Sequence, residues 1–155
     1  MKLKRYDLHV GPRPGKKSRA MLEALKPSHI LTLLAVREQV RPIEKIAGDI
    51  GAEWRHFPID GGKLDALERV SLRELFDLIS NIETTSERAR IYLHCSAGIH
   101  RTGFIAYILL RRDGLTRDEA LSALKTEREV TFEQVGMERI DFAEEIFLRT
   151  PLNPT

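Results

Sequence analysis

The residues with the clearest chemical potential lie between His94 and Gly103, where the sequence reads HCSAGIHRTG. The only cysteine of the chain, Cys95, is followed six positions later by Arg101. An apolar run of strand type precedes this segment and an apolar run of helix type follows it, so we expect a loop that leads into a helix. Such a loop collects unpaired backbone N–H groups and the positive end of the helix dipole, which together bind oxyanions such as phosphate.

The side chains of this loop suit a bound phosphate group. Gly98 can adopt backbone conformations that other residues resist, and the small side chains before it leave room for the anion. The guanidinium of Arg101 is a planar fork that can hold two phosphate oxygens at once. The residues predicted to bind the phosphate are Ser96, Ala97, Gly98, Ile99, His100 and Arg101.

Cys95 stands at the start of the loop, where the N–H groups, the helix dipole and Arg101 all favour a negatively charged sulfur. Cysteines in such positions have a pKa of roughly 3.5–7.5 instead of about 8.5, so we expect a thiolate aimed at phosphorus. The hydroxyl of Thr102 can donate to the sulfur and ease its departure from a phosphorylated intermediate. We expect His94 to support the loop through hydrogen bonds without contacting substrate.

Length and composition describe the protein that carries this loop. The chain has 155 residues, of which 42% are hydrophobic and 31% are charged, as is typical of one folded domain, here expected to span residues 1–155. A single cysteine excludes an internal disulfide and a zinc finger. The sequence has neither a signal-peptide pattern nor an apolar stretch long enough for a membrane helix, which leads us to expect a cytoplasmic protein with no membrane contact.

The elements that position the loop follow from the apolar patterns. Short apolar runs alternate with segments of helical spacing, which predicts an α/β domain whose central, mostly parallel sheet of four to five strands is flanked by helices. The predicted strands are 6–10, 29–36, 54–59 and 91–94. The predicted helices are 18–25, 42–51, 65–82, 102–112, 116–124 and 132–148.

Charge is distributed unevenly along the chain. The net charge is +2, but residues 1–20 hold seven Lys or Arg residues against Asp7 alone. The basic segment from Arg13 to Arg19 is either a solvated loop or a surface for a polyanion. A charge cluster without interleaved aromatic residues is weak evidence for nucleic-acid binding.

The segment from His94 to Gly103 resembles the signature of the cysteine-dependent protein tyrosine phosphatases, His-Cys-x5-Arg followed by Ser or Thr and Gly. The chain length, the order of the elements and the late position of the motif resemble the small dual-specificity branch of that superfamily. The resemblance implies a dual-specificity phosphatase-like fold and hydrolysis of phosphate monoesters through a phosphocysteine intermediate, without a metal or another cofactor.

The same resemblance implies an aspartic acid that protonates the leaving group. Asp60 is our first candidate because it ends a predicted strand, and the following Gly61 and Gly62 would allow its loop to close over substrate. Asp65, five residues later, is the alternative. A glutamine orients the hydrolytic water in some members of the superfamily, and Gln134, expected on a turn before the last helix, is the candidate for that supporting role.

The resemblance favours a phosphorylated protein or peptide as substrate, with phosphotyrosine preferred and phosphoserine or phosphothreonine also accepted, and a monomeric enzyme. The chain shows no insertion resembling the recognition loop of the tyrosine-specific branch, and residues 96–100 contain none of the lysines that inositol-lipid phosphatases often place there. The alternatives are an RNA 5′-triphosphatase, supported separately by the basic segment, an inositol-phosphate phosphatase, and a catalytically silent phosphate-binding module.

Overall fold

Four parallel strands form the sheet at the centre of the molecule, in the spatial order β1-β4-β2-β3. The computed structural model describes residues 1–152. The strands are β1 Tyr6–Gly11, β2 His29–Thr32, β3 Glu53–His56 and β4 Ala89–His94. All of β2 is buried, and so is all of β4 except Arg90, because helices cover both faces of a parallel sheet. The predicted α/β fold with a mostly parallel sheet is therefore confirmed.

The pairing register brings three strand ends to one point at the carboxyl edge of the sheet. His94, the last residue of β4, is paired with Gly11 of β1 on one side and with Thr32 of β2 on the other. The loop after His94 therefore leaves the sheet between two neighbouring strand ends. In open parallel sheets this edge is where ligands bind.

Within residues 1–152, eight helices surround the sheet: α1 Arg19–Leu25, α2 Arg41–Asp49, α3 Leu64–Leu67, α4 Leu72–Thr85, α5 His100–Arg112, α6 Arg117–Glu127, α7 Glu129–Val135 and α8 Met137–Arg149. Every residue from Arg101 to Leu110 in α5 is buried, as expected for a helix that is apolar on all sides and enclosed by its neighbours. None of the helices within residues 1–152 is long and apolar enough to cross a membrane.

Two predicted helices are each divided in the structure. The predicted helix 65–82 separates into α3 and α4, because the Ser71 hydroxyl accepts a hydrogen bond from the amide of Glu74 and begins a new helix there. The predicted helix 132–148 separates into α7 and α8 at Gly136, which has a φ of 87°. A left-handed residue interrupts helical hydrogen bonding, and glycine adopts this conformation most easily.

Two predicted strands end early, and the freed residues form loops at the carboxyl edge. The strand predicted to reach Val36 ends at Thr32 and is followed by a short 3-10 turn, Val36–Glu38. The strand predicted over 54–59 ends at His56, because Pro58 cannot donate to a sheet. The segment that follows, residues 57–63, is called the Asp60 loop below, and residues 94–103 are called the signature loop.

Candidate active site

The signature loop joins the end of β4 to the start of α5, as the sequence predicts. Within it, Gly98 has a φ of 71°, and a Cβ atom added there would lie 2.2 Å from the carbonyl oxygen of Gly11. Gly11 is itself confined, because a Cβ on it would lie 2.2 Å from the Tyr92 hydroxyl oxygen. The loop is therefore packed directly against the end of β1, and both positions require glycine.

Neighbouring donors hold the carbonyl oxygens of three consecutive loop residues. The amide of Arg13 donates to the carbonyl of Ser96 at 2.9 Å. Nη1 of Arg128 donates to the carbonyls of Ala97 and Gly98 at 3.1 Å and 2.8 Å, and the hydroxyl of Thr131 donates to the second of these at 2.6 Å. Because these carbonyls are engaged from outside, the loop amides remain available to face inward.

Cys95 is 3% exposed, and its sulfur is surrounded by hydrogen-bond donors. Burial raises the pKa of the Cys95 thiol, but the hydroxyl of Thr102, with Oγ1 at 3.1 Å from Sγ, and the amides of Thr102, Ile99 and Gly98 lower it more strongly, so the net shift is downward. The loop amides and the hydroxyl thus favour the thiolate, which is the nucleophilic form of cysteine.

Arg101 is held rigidly by a carboxylate that the sequence analysis did not find. Its Nη1 and Nη2 atoms contact the two carboxylate oxygens of Glu38 at 2.7 Å and 3.0 Å, and Nη1 also donates to the carbonyl of Ile59 at 2.9 Å. A guanidinium has five N–H donors, so within residues 1–152 the Nε–H and one Nη2–H, which lie on one edge, donate to no oxygen atom. Burial lowers the pKa of Arg101, but the hydrogen bonds and charge of Glu38 and the charge of Cys95 raise it overall.

The Asp60 loop lies against the signature loop. A Cβ atom added to Gly62 would lie 2.8 Å from the Cβ of His100, and Nε of Arg139 donates to the carbonyl of Gly62 at 2.7 Å. The Asp60 carboxylate is exposed and paired with the guanidinium of Arg37 on the 3-10 turn. Asp65 is also exposed, but it lies in the first turn of α3, where its Oδ1 accepts from the amide of Ala66 at 2.9 Å.

Fully buried His94 is fixed by hydrogen bonds on both ring nitrogens. Its Nδ1 lies 2.8 Å from the carbonyl oxygen of Cys95, which can only accept, so Nδ1 carries the proton. Its Nε2 then accepts from the hydroxyl of Thr32 at 2.7 Å, and that hydroxyl accepts from Nε1 of Trp54 at 2.9 Å. Burial lowers the pKa of His94 to about 4, against the effect of its hydrogen bond to Cys95.

His100 and Gln134 occupy the outer side of the signature loop. Burial and the charges of Arg139 and Arg101 lower the pKa of His100, and its hydrogen bond to the backbone of Gln134 opposes them. Gln134 lies within α7 and its side chain is exposed, so the prediction that it lies on a turn is wrong. The reason is that the helical hydrogen bonds continue to Val135 and end only at Gly136.

Two arginines of the basic segment contact other parts of the protein, while Lys16 and Lys17 are exposed. The Arg13 guanidinium donates to the carbonyls of Glu38 and Gln39, which ties it to the 3-10 turn beside the site. On α1, Arg19 pairs with Glu23 at 3.0 Å and with Asp49 at 3.5 Å.

Most of the residues that sequence analysis missed act on the loop from elsewhere in the chain: Arg13, Thr32, Glu38, Trp54, Arg128, Thr131 and Arg139. Nothing in their local sequence distinguishes them from ordinary surface or core residues. Within residues 1–152, no group of three or more His, Cys, Asp or Glu side chains is placed to hold a metal ion.

Comparison with known proteins agrees with this arrangement. The family model described as protein-tyrosine phosphatase matches residues 65–138, a stretch that includes the signature loop. No curated protein sequence matches the chain significantly.

Several solved structures share the fold over most of their length. Tk-PTP in its active form is 20% identical, with 93% of each chain covered and a TM-score of 0.69. TpbA from P. aeruginosa is 16% identical, with 90% of this chain and 80% of that chain covered and a TM-score of 0.62. The PTP-2 phosphatase of Cydia pomonella is 20% identical, with 86% of each chain covered and a TM-score of 0.60.

Proposed function

We propose that this chain is a cysteine-dependent protein tyrosine phosphatase that hydrolyses phosphotyrosine in proteins, with phosphoserine and phosphothreonine as further substrates. One observation carries the proposal. The sulfur of Cys95 is surrounded by donors, and the charge and hydrogen bonding of Arg101 act on that sulfur. Within residues 1–152, Arg101 keeps two N–H groups that donate to no oxygen atom. A phosphate bound by those two N–H groups and the loop amides would place its phosphorus above the nucleophile.

The proposed reaction has two steps. In the first, the Cys95 thiolate attacks phosphorus, the bond from phosphorus to the tyrosine oxygen breaks, and Asp60 transfers its proton to the departing oxygen. In the second, water attacks phosphorus and gives a proton to the Asp60 carboxylate, while the phosphorus–sulfur bond breaks. Inorganic phosphate is released, and the Thr102 hydroxyl stabilises the returning thiolate.

The 3-10 turn supports an aromatic phosphate ester as substrate. Val36 is 73% exposed, although it is two residues from Glu38, which contacts the buried Arg101. An exposed apolar side chain beside a phosphate-binding loop offers a surface for the ring of phosphotyrosine. Phosphoserine has no ring to make that contact, so phosphotyrosine is the preferred substrate.

The proposal includes a reducing compartment. Because a thiolate must stay reduced to attack phosphorus and Cys95 has no second cysteine with which to form a protective disulfide, a cytoplasmic location suits the chemistry. We also propose a monomer and a phosphorylated protein as the physiological partner.

The deciding experiment compares the wild-type chain with Cys95→Ser. Turnover of p-nitrophenyl phosphate should fall by at least about a thousandfold, because the serine hydroxyl is a far weaker nucleophile than a thiolate. Thermal unfolding verifies that the variant is folded, and vanadate should inhibit the wild-type enzyme only. Full turnover by the folded variant would contradict the proposal.

A substrate panel then separates the enzymatic alternatives. Phosphotyrosine and phosphothreonine peptides, inositol phosphates and 5′-triphosphate RNA are compared by kcat/KM. We expect the phosphotyrosine peptide to be the best substrate, and Val36→Ser should raise its KM while leaving the KM for a phosphothreonine peptide unchanged. A higher kcat/KM for the RNA would contradict the protein-substrate proposal but leave the phosphocysteine mechanism intact.

A further inference from the structure

A cavity lies at the far end of α5 from the signature loop, and the proposed reaction does not use it. Its volume is about 800 Å³, which is within the usual range for small-molecule sites. Because α5 has 13 residues and rises about 1.5 Å per residue, its two ends are roughly 20 Å apart. A ligand in this cavity would therefore not touch the catalytic residues.

Helix α4 supplies one wall of the cavity. Arg73, Phe76, Ser80 and Glu83 follow one another at helical spacing and all face the cavity. The end of α5 supplies Arg112 and Asp113, and the segment before β1 supplies Lys4 and Arg5. The cavity is thus lined by two helices, the amino-terminal segment and residues 150–152.

The charges that line the cavity are unbalanced. Arg112 is satisfied within the protein, since its Nη2 lies 2.9 Å from Glu83 and 3.1 Å from Ser80. Within residues 1–152, the side chains of Arg5 and Arg73 have no carboxylate oxygen within 4.0 Å. With four cations and two carboxylates on the walls, two positive charges remain for a ligand to neutralise.

We propose that this cavity binds a small organic phosphate with two negative charges, held by Arg5 and Arg73. The charge of the ligand matches the two unbalanced cations. The ring of Phe76, together with Pro151 and Leu152, provides an apolar wall, which favours an organic phosphate over the free ion.

The experiment is a titration of the ¹⁵N-labelled full chain with phenylphosphonate, a dianionic probe that a phosphatase cannot hydrolyse. Backbone amides of Arg5, Arg112 and Asp113 report on the cavity, and those of Gly98 and Ile99 report on the signature loop. We expect both groups to shift with separate binding curves, and inorganic phosphate to bind the cavity more weakly than phenylphosphonate.

Three variants test the contacts. Arg73→Ala should weaken binding at the cavity about fivefold or more and leave binding at the signature loop unchanged. Arg41→Ala is the matched control, because Arg41 is an exposed arginine outside the cavity. Arg5→Ala should likewise weaken cavity binding about fivefold or more, because it removes the second of the two unbalanced cations.

The outcomes are distinct from those that test the catalytic proposal. Absence of a saturable shift at the cavity amides, or equal affinities for Arg73→Ala and Arg41→Ala, would overturn the cavity site. Unchanged affinity in Arg5→Ala would overturn the assignment of its guanidinium to the ligand. If the cavity amides shift and those of Gly98 and Ile99 do not, the phosphate-binding role of the signature loop would be contradicted. The cavity would then be supported as a binding site that is independent of the signature loop.

Discussion

The signature loop and the Asp60 loop lie side by side but are held in different ways. Cys95 and Arg101 are buried, and donors or a carboxylate from other elements fix the signature loop on several sides. The Asp60 side chain is exposed and contacts a single exposed partner, Arg37. The rigid loop suits a site that binds and attacks, while the loosely held one suits a residue that must approach the substrate during the reaction.

The largest of the effects predicted here is a loss of kcat when the Asp60 loop loses its carboxylate. Asp60→Ala should lower kcat by about 10²–10⁴, because the leaving oxygen loses its proton donor, while KM changes little. The loss should be greater for a phosphotyrosine peptide than for p-nitrophenyl phosphate, whose leaving group needs less protonation. Asp65→Ala is the matched control, and a larger loss in that variant would transfer the acid role to Asp65.

A second prediction tests the rigidity of the signature loop. Glu38→Gln should reduce kcat/KM by roughly 30-fold, because the Arg101 guanidinium loses its charged partner and no longer presents its free N–H groups in one orientation. The exposed Glu44→Gln on α2 provides the control and should behave as wild type. If Glu38→Gln also behaved as wild type, the Arg101–Glu38 contact would have no role in orienting the arginine.

The pH dependence of stability offers a third test, because the signature loop is braced by a histidine that is neutral in the folded state. Burial lowers the pKa of His94 to about 4, whereas an unfolded chain binds the proton near pH 6.5. The unfolded state therefore gains the proton first as pH falls, and stability should drop by up to about 3 kcal/mol between pH 6.5 and 4. The free energy of unfolding, measured with urea, should change less steeply with pH between 6.5 and 4 in His94→Gln than in the wild type. An equally steep change with pH would contradict the lowered pKa of His94.

The hydrogen-bond chain behind His94 should have a smaller effect. Thr32→Val leaves the ring nitrogens of Trp54 and His94 without partners, which should cost about 1–3 kcal/mol of stability. Alkylation of Cys95 by iodoacetate should also become several-fold slower, since the loop is less firmly oriented. Thr32→Ser keeps the hydroxyl and should restore the wild-type rate of Cys95 alkylation. Equal alkylation rates in Thr32→Val and Thr32→Ser would show that the hydrogen-bond chain does not influence Cys95.

The smallest effect is expected at the loosely held loop. Arg37→Ala removes the exposed partner of Asp60 and should change kcat by less than about threefold, because ion pairs in water contribute little. The measurement is the same phosphotyrosine-peptide assay. A loss of activity comparable to that of Glu38→Gln would show that the Asp60 loop is held as firmly as the signature loop, which would contradict the difference between the two loops.

The same contrast explains what sequence analysis could predict of the site. The signature loop is contiguous, so ten residues contain its cysteine, its arginine and its glycine. The contacts that fix the loop come from distant positions: Glu38 is 63 residues from Arg101, and Arg128 is 30 residues from Gly98. Such contacts depend on how the elements pack, and no local pattern reveals them. The conformational freedom of Gly98 was predictable, but its close approach to Gly11 was not.

The fold was predictable in its order of elements and less so in their ends. Alternating apolar runs indicated the parallel sheet, since strands covered on both faces are apolar throughout. The break between α3 and α4 had a sequence signal, Ser71 followed three residues later by Glu74, which the stronger helical periodicity obscured. Two strands end earlier than predicted, at Thr32 and His56, although the backbone of Leu33, Phe57 and Ile59 still donates hydrogen bonds to neighbouring segments at the carboxyl edge.

The chain of hydrogen bonds that ends at the Cys95 carbonyl begins at Trp54, the only tryptophan in the sequence. The indole is thus the sole source of tryptophan fluorescence in the molecule, and its N–H group is connected through two side chains to the backbone of the nucleophile. Occupation or oxidation of the site can therefore be followed by emission from the unmodified protein, without a label and without a chromogenic substrate.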